Sequence, residues 1–339
     1  MGSIPGGDGT TNNTTGATRA YASLSEAESN EQAAFNGDNL VITCALGGGS
    51  LDTTSVTING STFNSSADYM TIESNAVSDA RGETLDTGKY VLDVTDSNAM
   101  TIFDDYVRIM RMQIRLSGVD ANSEACINAA ALAAGAEIYV CESILQGANE
   151  AGTNSVCIYA NDTDADFYIA NNVCYDTGAR VSSDNSPIRV NCNEAWVYNN
   201  TIIEGYRGIR QEGGTVYCIN NLVYNQGGSA TLGAFDASSD YNSTDDTTIC
   251  NDNTNDRVSQ TFTFKAAGSD NYNLTVSDTG ALDLGTDLSG DANLPVTVDT
   301  IGTARPQNSV YDIGAFELIQ AAGVSIPVLM RSYRNRRVS

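Results

Sequence analysis

The chain has 339 residues, 41% of them hydrophobic and 17% charged, long enough to bury a substantial core as one elongated domain. Its 42 acidic against 17 basic residues give a formal net charge of −25, which excludes binding nucleic acid or an anionic membrane through the body, because phosphate binding needs clustered cations. Histidine is absent, no Cys-x-x-Cys occurs and no run approaches the ~18 apolar residues of a membrane span, so no metal site, no cofactor and no transmembrane helix are expected.

Residues 1–18 are rich in Gly, Thr and Asn and read as an N-terminal arm or a peripheral strand. The start, Met1-Gly2-Ser3-Ile4, has neither a basic region nor an apolar stretch and does not read as a secretory signal. Ser23-Leu24-Ser25-Glu26-Ala27-Glu28 carries overlapping capping-box spacings and predicts a short helix, placed to cover the open edge of a stack of strands. Strands are expected around Leu40 to Thr43, Ser55 to Ile58, Met70 to Ile72, Tyr90 to Val94 and Tyr106 to Ile114.

A repeat then becomes visible. Ile169-Ala170-Asn171-Asn172-Val173 recurs as Val197-Tyr198-Asn199-Asn200-Thr201 and as Cys218-Ile219-Asn220-Asn221-Leu222. The second asparagines are 28 and 21 residues apart, so each unit is a rung with loops of variable length. Aligned on them, Val140, Ile169, Val197 and Cys218 form one apolar column, and Leu145, Cys174, Ile202 and Val223 form another. A second strand per rung is read from Ile127, Ile158, Ile188 and Ile209. Columns that stay apolar while their neighbours vary are what stacked parallel strands with a common interior produce. The asparagine pair belongs at the bend, where Asn tolerates a left-handed backbone and side-chain amides can bond to their copies in the next rung. The fold class expected is therefore all-β: a single-stranded right-handed parallel β-helix, or solenoid, with a short N-terminal capping helix and an extended C-terminal tail.

Eight cysteines, an even number, invite a disulfide framework. Most occupy the repeat columns, where a small thiol fills the core, and this favours buried free thiols. Cys126 and Cys157, at equivalent positions one rung apart, are the pair a bridge would join.

The asparagine rungs are followed by Ser238-Ser239-Asp240-Tyr241-Asn242. The ending runs from Asp283-Leu284-Gly285-Thr286-Asp287-Leu288 through Arg305-Pro306 to Asp312-Ile313-Gly314-Ala315-Phe316-Glu317. Together they resemble the pectate-lyase-like β-helix repeat family of bacterial surface and phage proteins. The resemblance covers residues 20 to 318 and implies the fold more strongly than the activity, since this scaffold hosts polysaccharide lyases, hydrolases, adhesins and inert virion parts. Residues 227 to 318 are less repetitive and are expected to finish and cap the coil.

Carboxylates and arginines would carry any glycan chemistry on such a scaffold. Asp176 and Glu204 are equivalent positions on neighbouring rungs, which sets their backbones ~4.8 Å apart. Arg207 is close in sequence, and Arg189 and Arg210 stack in the Ile188 and Ile209 strands. Two carboxylates about 5 Å apart suit a retaining glycosidase. With 42 acidic residues such adjacency also arises by chance, and solvated turns are where acids belong. Asp162, Asp164 and Asp166 alternate as calcium ligands do but lack the Gly and distal Glu of an EF-hand, and read as a turn.

The last segment is different in kind. Ile326, Pro327, Leu329 and Met330 are followed by Arg331, Tyr333, Arg334, Arg336 and Arg337 with no acid among them. An apolar anchor followed by charge opposite to that of the body reads as a docking peptide. The organisation expected is an arm over 1–18, a β-helix domain over 19–318 and a basic docking tail over 319–339. The expected function is a non-enzymatic phage virion component, a head decoration or fibre-like appendage. It would sit on the extracellular particle, docked on capsid or tail proteins as an oligomer or as copies on a lattice, with a cell-surface glycan as a further partner. The alternatives are a polysaccharide lyase or glycoside hydrolase working through Asp176, Glu204 and Arg207, as in a tailspike depolymerase, and a bacterial surface adhesin.

Overall fold

The computed structural model describes residues 2–4, 19–32, 34–35, 39–46, 51–63, 65–75, 82–118, 123–148, 154–177 and 185–319. These residues are mostly β, in parallel sheets, with one short α-helix near the N-terminus among them. Seven strands, from Leu92–Thr95 to Ser243–Thr244, form one all-parallel sheet, and thirteen form another. Among the described residues, antiparallel pairing is confined to the hairpin of Phe264–Ala266 with Asn271–Leu274 and to a single bridge between Val298 and Ala304.

Each rung contributes three strand segments, the first two running on as one continuous strand in Asn154–Ala170, Ile188–Tyr198 and Arg207–Ile219. Register runs Ile127↔Ile158↔Ile188↔Ile209 on the first strand, Val140↔Ile169↔Val197↔Cys218 on the second and Leu145↔Cys174↔Ile202↔Val223 on the third. The second and third columns are fully buried, as alternating side-chain direction requires of an inward face. The bend that separates these two strands has a left-handed first residue: Asn171, Asn199 and Asn220 have φ of 55°, 50° and 59°. The same conformation recurs at Arg111, Glu142 and Tyr241, so the expected strand over Tyr106 to Ile114 breaks into Val107–Met110 and Gln113–Gly118.

Inside the bend the second asparagines form a ladder. Asn172 donates from Nδ2 to Asn200 Oδ1, Asn200 to Asn221 and Asn221 to Asn242, each at 3.0 Å. The same Oδ1 atoms accept the backbone N–H of the previous asparagine, and the second Nδ2 hydrogen goes to a strand carbonyl of the preceding rung, such as Ile169 O for Asn200. Ser143 and Asp256 close the ladder at its two ends. All four asparagines are fully buried and fully satisfied, which is the condition under which buried amides stabilise.

At the N-terminus, Leu24–Glu31 forms the expected helix, α1, with Ser23 as its cap accepting from Glu26 N. The Glu26 carboxylate returns to Ala22 N, and Leu24 and Ala27 join the core against Val56 and Ile58. Gly2–Ile4, in the expected arm, pairs in parallel with Arg19–Ala20 and Leu40–Cys44. All eight cysteines are free thiols. Cys126 and Cys157 are neighbours in register but unbridged, each donating Sγ to a core carbonyl at 3.3 Å.

The C-terminal segment departs from expectation. Rather than only following the last parallel strands, residues from 281 to 317 run along the flank of the stacked sheets. Tyr311, Leu288, Leu294 and Val296 cover the outward side chains of Tyr168, Trp196 and Tyr198, while Ile313, Ala315 and Phe316 cover Ile144, Val173 and Leu222. The first asparagine of each bend, facing outward, holds the segment: Asn171 donates to Val298 O, Asn199 to Asp312 O and Asn220 to Thr286 O. Gly314, at φ 106°, lies where a Cβ would meet Thr201 Oγ1 at 2.7 Å, so this position excludes a side chain. Arg305 and Glu317 pair at 3.1 Å within the segment, with side chains 0% and 1% exposed.

Asp312 shares this buried cluster, accepting from Asp283 N and Leu318 N. Burial, helped by the Glu317 charge and opposed by those bonds and by Arg305, pushes its carboxyl up from 3.8 to about 7. A carboxyl that binds its proton more readily folded than unfolded contributes stability at low pH, lost as pH rises from 3.8 through about 7. The urea midpoint is therefore expected to be higher at pH 5 than at pH 8, and Asp312→Asn should flatten that difference. An unchanged slope in the variant would assign the pH dependence elsewhere.

Candidate functional site

Asp176 and Glu204 do come together. Both end third strands in the left-handed conformation, at φ 56° and 55°, and stack as the same corner of successive rungs. Each carboxylate accepts a neighbouring amide: Gln146 Nε2 bonds Asp176 Oδ2 at 2.9 Å and Asn225 Nδ2 bonds Glu204 Oε1 at 2.8 Å. Asp270 joins them from the C-terminal hairpin connection, accepting from the Tyr272 hydroxyl at 3.3 Å, and Tyr272 lies 5.9 Å from Tyr175. Burial raises the Asp176 carboxyl above its ordinary range, with the Gln146 bond opposing and the Asp270 and Glu204 charges adding to the rise. This is the direction a general acid needs.

The corner borders a cleft of about 470 Å³ lined by Arg115, Ser117, Gln146 and Asp176. Arg115, however, is held by Asp93 through both Nε and Nη2, so its donors are committed on that side. Arg207 does not converge on the carboxylates. Its Nη1 donates to Ser229 Oγ at 2.6 Å, its guanidinium lies 5.1 Å from the Tyr206 ring, and among the described residues it pairs with no acid. Arg189 and Arg210 are in register and share Glu212 at 2.8 and 2.9 Å.

Two carboxylates of the calcium-like triplet are spent on nearby donors. Asp162 accepts from Leu132 N and Asp164 N, and Asp166 accepts from Glu194 N. Asp287 and Asp291 likewise cap turns at Ser289 N and Leu294 N. The docking residues Ile326, Pro327, Leu329, Met330, Arg331, Tyr333, Arg334, Arg336 and Arg337 lie outside the described residues. The last one described, Ile319, is 66% exposed and borders a small cleft with Glu83 and Lys265 on the flank.

The asparagine alignment also carries an aromatic column that no local motif marks. Tyr139, Tyr168, Trp196 and Tyr217, each one residue before the inward column, stack on the outer face with centroids 4.1, 4.8 and 5.5 Å apart. Beside them runs an acidic column, Glu137↔Asp166↔Glu194, from which Glu194 accepts the Tyr217 hydroxyl at 3.0 Å. The rings stack on one another, so they present edges outward, and Tyr168 and Trp196 are buried. This ladder packs the C-terminal segment more than it offers a platform for sugar.

Since Asp176 and Glu204 are bonded to amides at turn corners, Asp176→Asn and Glu204→Gln are expected to shift stability by less than ~1 kcal/mol. They should also leave any glycan interaction unchanged. Thermal melts and a glycan-cleavage panel check this, and loss of cleavage in a folded variant would establish catalysis at this corner. Comparison with protein-family models, curated proteins and solved structures gave no match for this chain.

Proposed function

We propose that the chain is a single right-handed parallel β-helix serving as a structural or adhesive element of a phage virion, docked through residues 319–339 and presenting its acidic coil outward. The all-parallel pairing of successive rungs supports the solenoid reading, and the strong preference of parallel crossovers for one hand supports the right-handed sense. The observation that carries the functional reading is the use to which the chain puts its most distinctive polar residues. Asn171, Asn199 and Asn220 bond the C-terminal segment to the stacked strands, Arg305 reaches back to Asn171 Oδ1, and the buried Arg305–Glu317 pair with Asp312 ties the segment to itself. Residues committed to rigidity at this density suit a durable displayed scaffold.

The runner-up, a polysaccharide lyase or hydrolase, draws on one specific feature: the raised Asp176 carboxyl beside Glu204 at the edge of a cleft. Mass spectrometry of gradient-purified particles separates the two. A fixed ratio of the chain to the major capsid or tail protein is expected. Its absence from particles, together with glycan cleavage by the free protein, would overturn the structural reading.

A further inference from the structure

Between Asn293 and Val298 the C-terminal segment leaves a cleft of about 280 Å³ against the outer face of the second strands. Met110 and Tyr139 line it from the coil, Leu294, Pro295 and Val296 from the segment, and Arg108 stands at its side. Arg108 pairs in register with Tyr139, and its guanidinium carbon lies 3.5 Å from the Tyr69 ring centroid and 4.8 Å from that of Tyr139. Rings on two sides hold the guanidinium by cation–π attraction without using its N–H donors.

Those donors are left over. The Arg108 Nε is shielded from solvent and has no hydrogen-bond partner, and among the described residues Arg108 makes no ion pair. In a chain of 42 acids and 17 bases, this is informative. Arg111, Arg115, Arg189, Arg210 and Arg305 each hold a carboxylate. Arg207 and Arg257 hold none either but donate to Ser229 Oγ and to Gln260 Oε1, so a partly buried guanidinium that recruits neither an acid nor another acceptor amid such an excess has geometry suited to an anion from outside. The neighbouring carboxylates bound its charge: Glu142 lines the cleft, 4.0 Å from Arg111, and Glu137 reaches the Tyr139 hydroxyl at 3.5 Å. A dianion would meet both.

We propose that this cleft binds a small organic monoanion, its carboxylate on Arg108 and its apolar body against Met110 and the Leu294 to Val296 wall. The volume falls just under the ~300–1,000 Å³ of drug-sized pockets, which limits the body to one ring or a short alkyl chain. The site is separate from the Asp176 corner and does not depend on the virion reading.

The test is a ligand-observed NMR titration of the full chain with 3-phenylpropionate and with its uncharged counterpart, 3-phenylpropanol. Wild type should bind the acid at one saturable site. Arg108→Gln, and likewise replacement of acid by alcohol, should weaken binding about tenfold or more, the size of a charge-assisted hydrogen bond. Leu294→Trp, which fills the cleft and leaves Arg108 in place, should abolish binding while circular dichroism stays unchanged. Absence of saturable binding to wild type, equal binding of the alcohol, or retained binding in folded Leu294→Trp would each overturn the proposal.

Discussion

Asn200→Ala is expected to lower stability by about 3–5 kcal/mol, a loss beyond the usual range for one surface-remote substitution. The Asn200 side chain accepts from Asn172 N and Asn172 Nδ2 and donates to Ile169 O and Asn221 Oδ1, all at 3.0 Å and with no exposure. Truncation strands two donors and leaves two acceptors short in a space closed to water, at about 1–3 kcal/mol for each group left unmade. Asn225→Ala removes an amide from a half-buried corner instead and should cost less than ~1 kcal/mol. Urea denaturation followed by circular dichroism and by the fluorescence of Trp196, the one tryptophan, measures both. Rung stacks unfold with nearest-neighbour cooperativity, so hydrogen exchange across residues 169 to 203 should show the loss centred on that rung. If Asn200→Ala and Asn225→Ala cost the same, the ladder does not hold the coil.

Arg305→Met should release the C-terminal segment. Arg305 donates to Glu317 at 3.1 Å, to Asp312 O at 3.0 Å and to Gly314 O at 2.7 Å, which hold the segment's shape, and to Asn171 Oδ1 at 3.3 Å across the contact with the strands. Burial draws its guanidinium below the ordinary value while the charges of Glu317, Asp299 and Asp312 hold it up. Removing one partner of a buried pair costs about 3–5 kcal/mol because the other charge stays behind. Limited proteolysis is expected to cut between residues 283 and 311 in the variant and to spare the coil. The Arg305→Met, Glu317→Leu double variant should regain part of the protection, since it removes the orphaned Glu317 charge while Gln307 N and Asp312 N lose their acceptor. Equal protease resistance in wild type and Arg305→Met would show that apolar cover alone holds the segment.

The sequence alone revealed the parallel register where its signal is a column of side chains. Val140, Ile169, Val197 and Cys218 share one inward position because strands alternate faces, and that alternation survives loops of any length. The Asp176 and Glu204 corner was legible for the same reason. Arg111 and Glu142 were not legible as bends, because a left-handed backbone at this place is compatible with side chains that advertise no turn. The direction of Arg207 was also hidden: three residues past Glu204, its backbone N–H bonds Asn185 O and its side chain follows the next strand toward Ser229. Lateral docking of residues 281 to 317 had no local signature at all. Its contacts are outward aromatics such as Tyr168 and Trp196, which look like ordinary surface positions until the covering segment is seen. The resemblance of that segment to a family phrase pointed to its importance, and its buried Arg305 and Glu317 give the physical reason.

The most direct test of the structural reading is the incorporation of the chain into particles with and without residues 320–339. Truncation belongs after Ile319 and not after Glu317, because Leu318 N donates to Asp312 and helps seat the segment. The truncated protein should fold and melt as the full chain does yet be missing from gradient-purified particles. Glutamine at Arg331, Arg334, Arg336 and Arg337 should weaken attachment less than full removal does, because the apolar anchor remains. Truncated protein present in particles at the full-length ratio would contradict docking through the C-terminal tail.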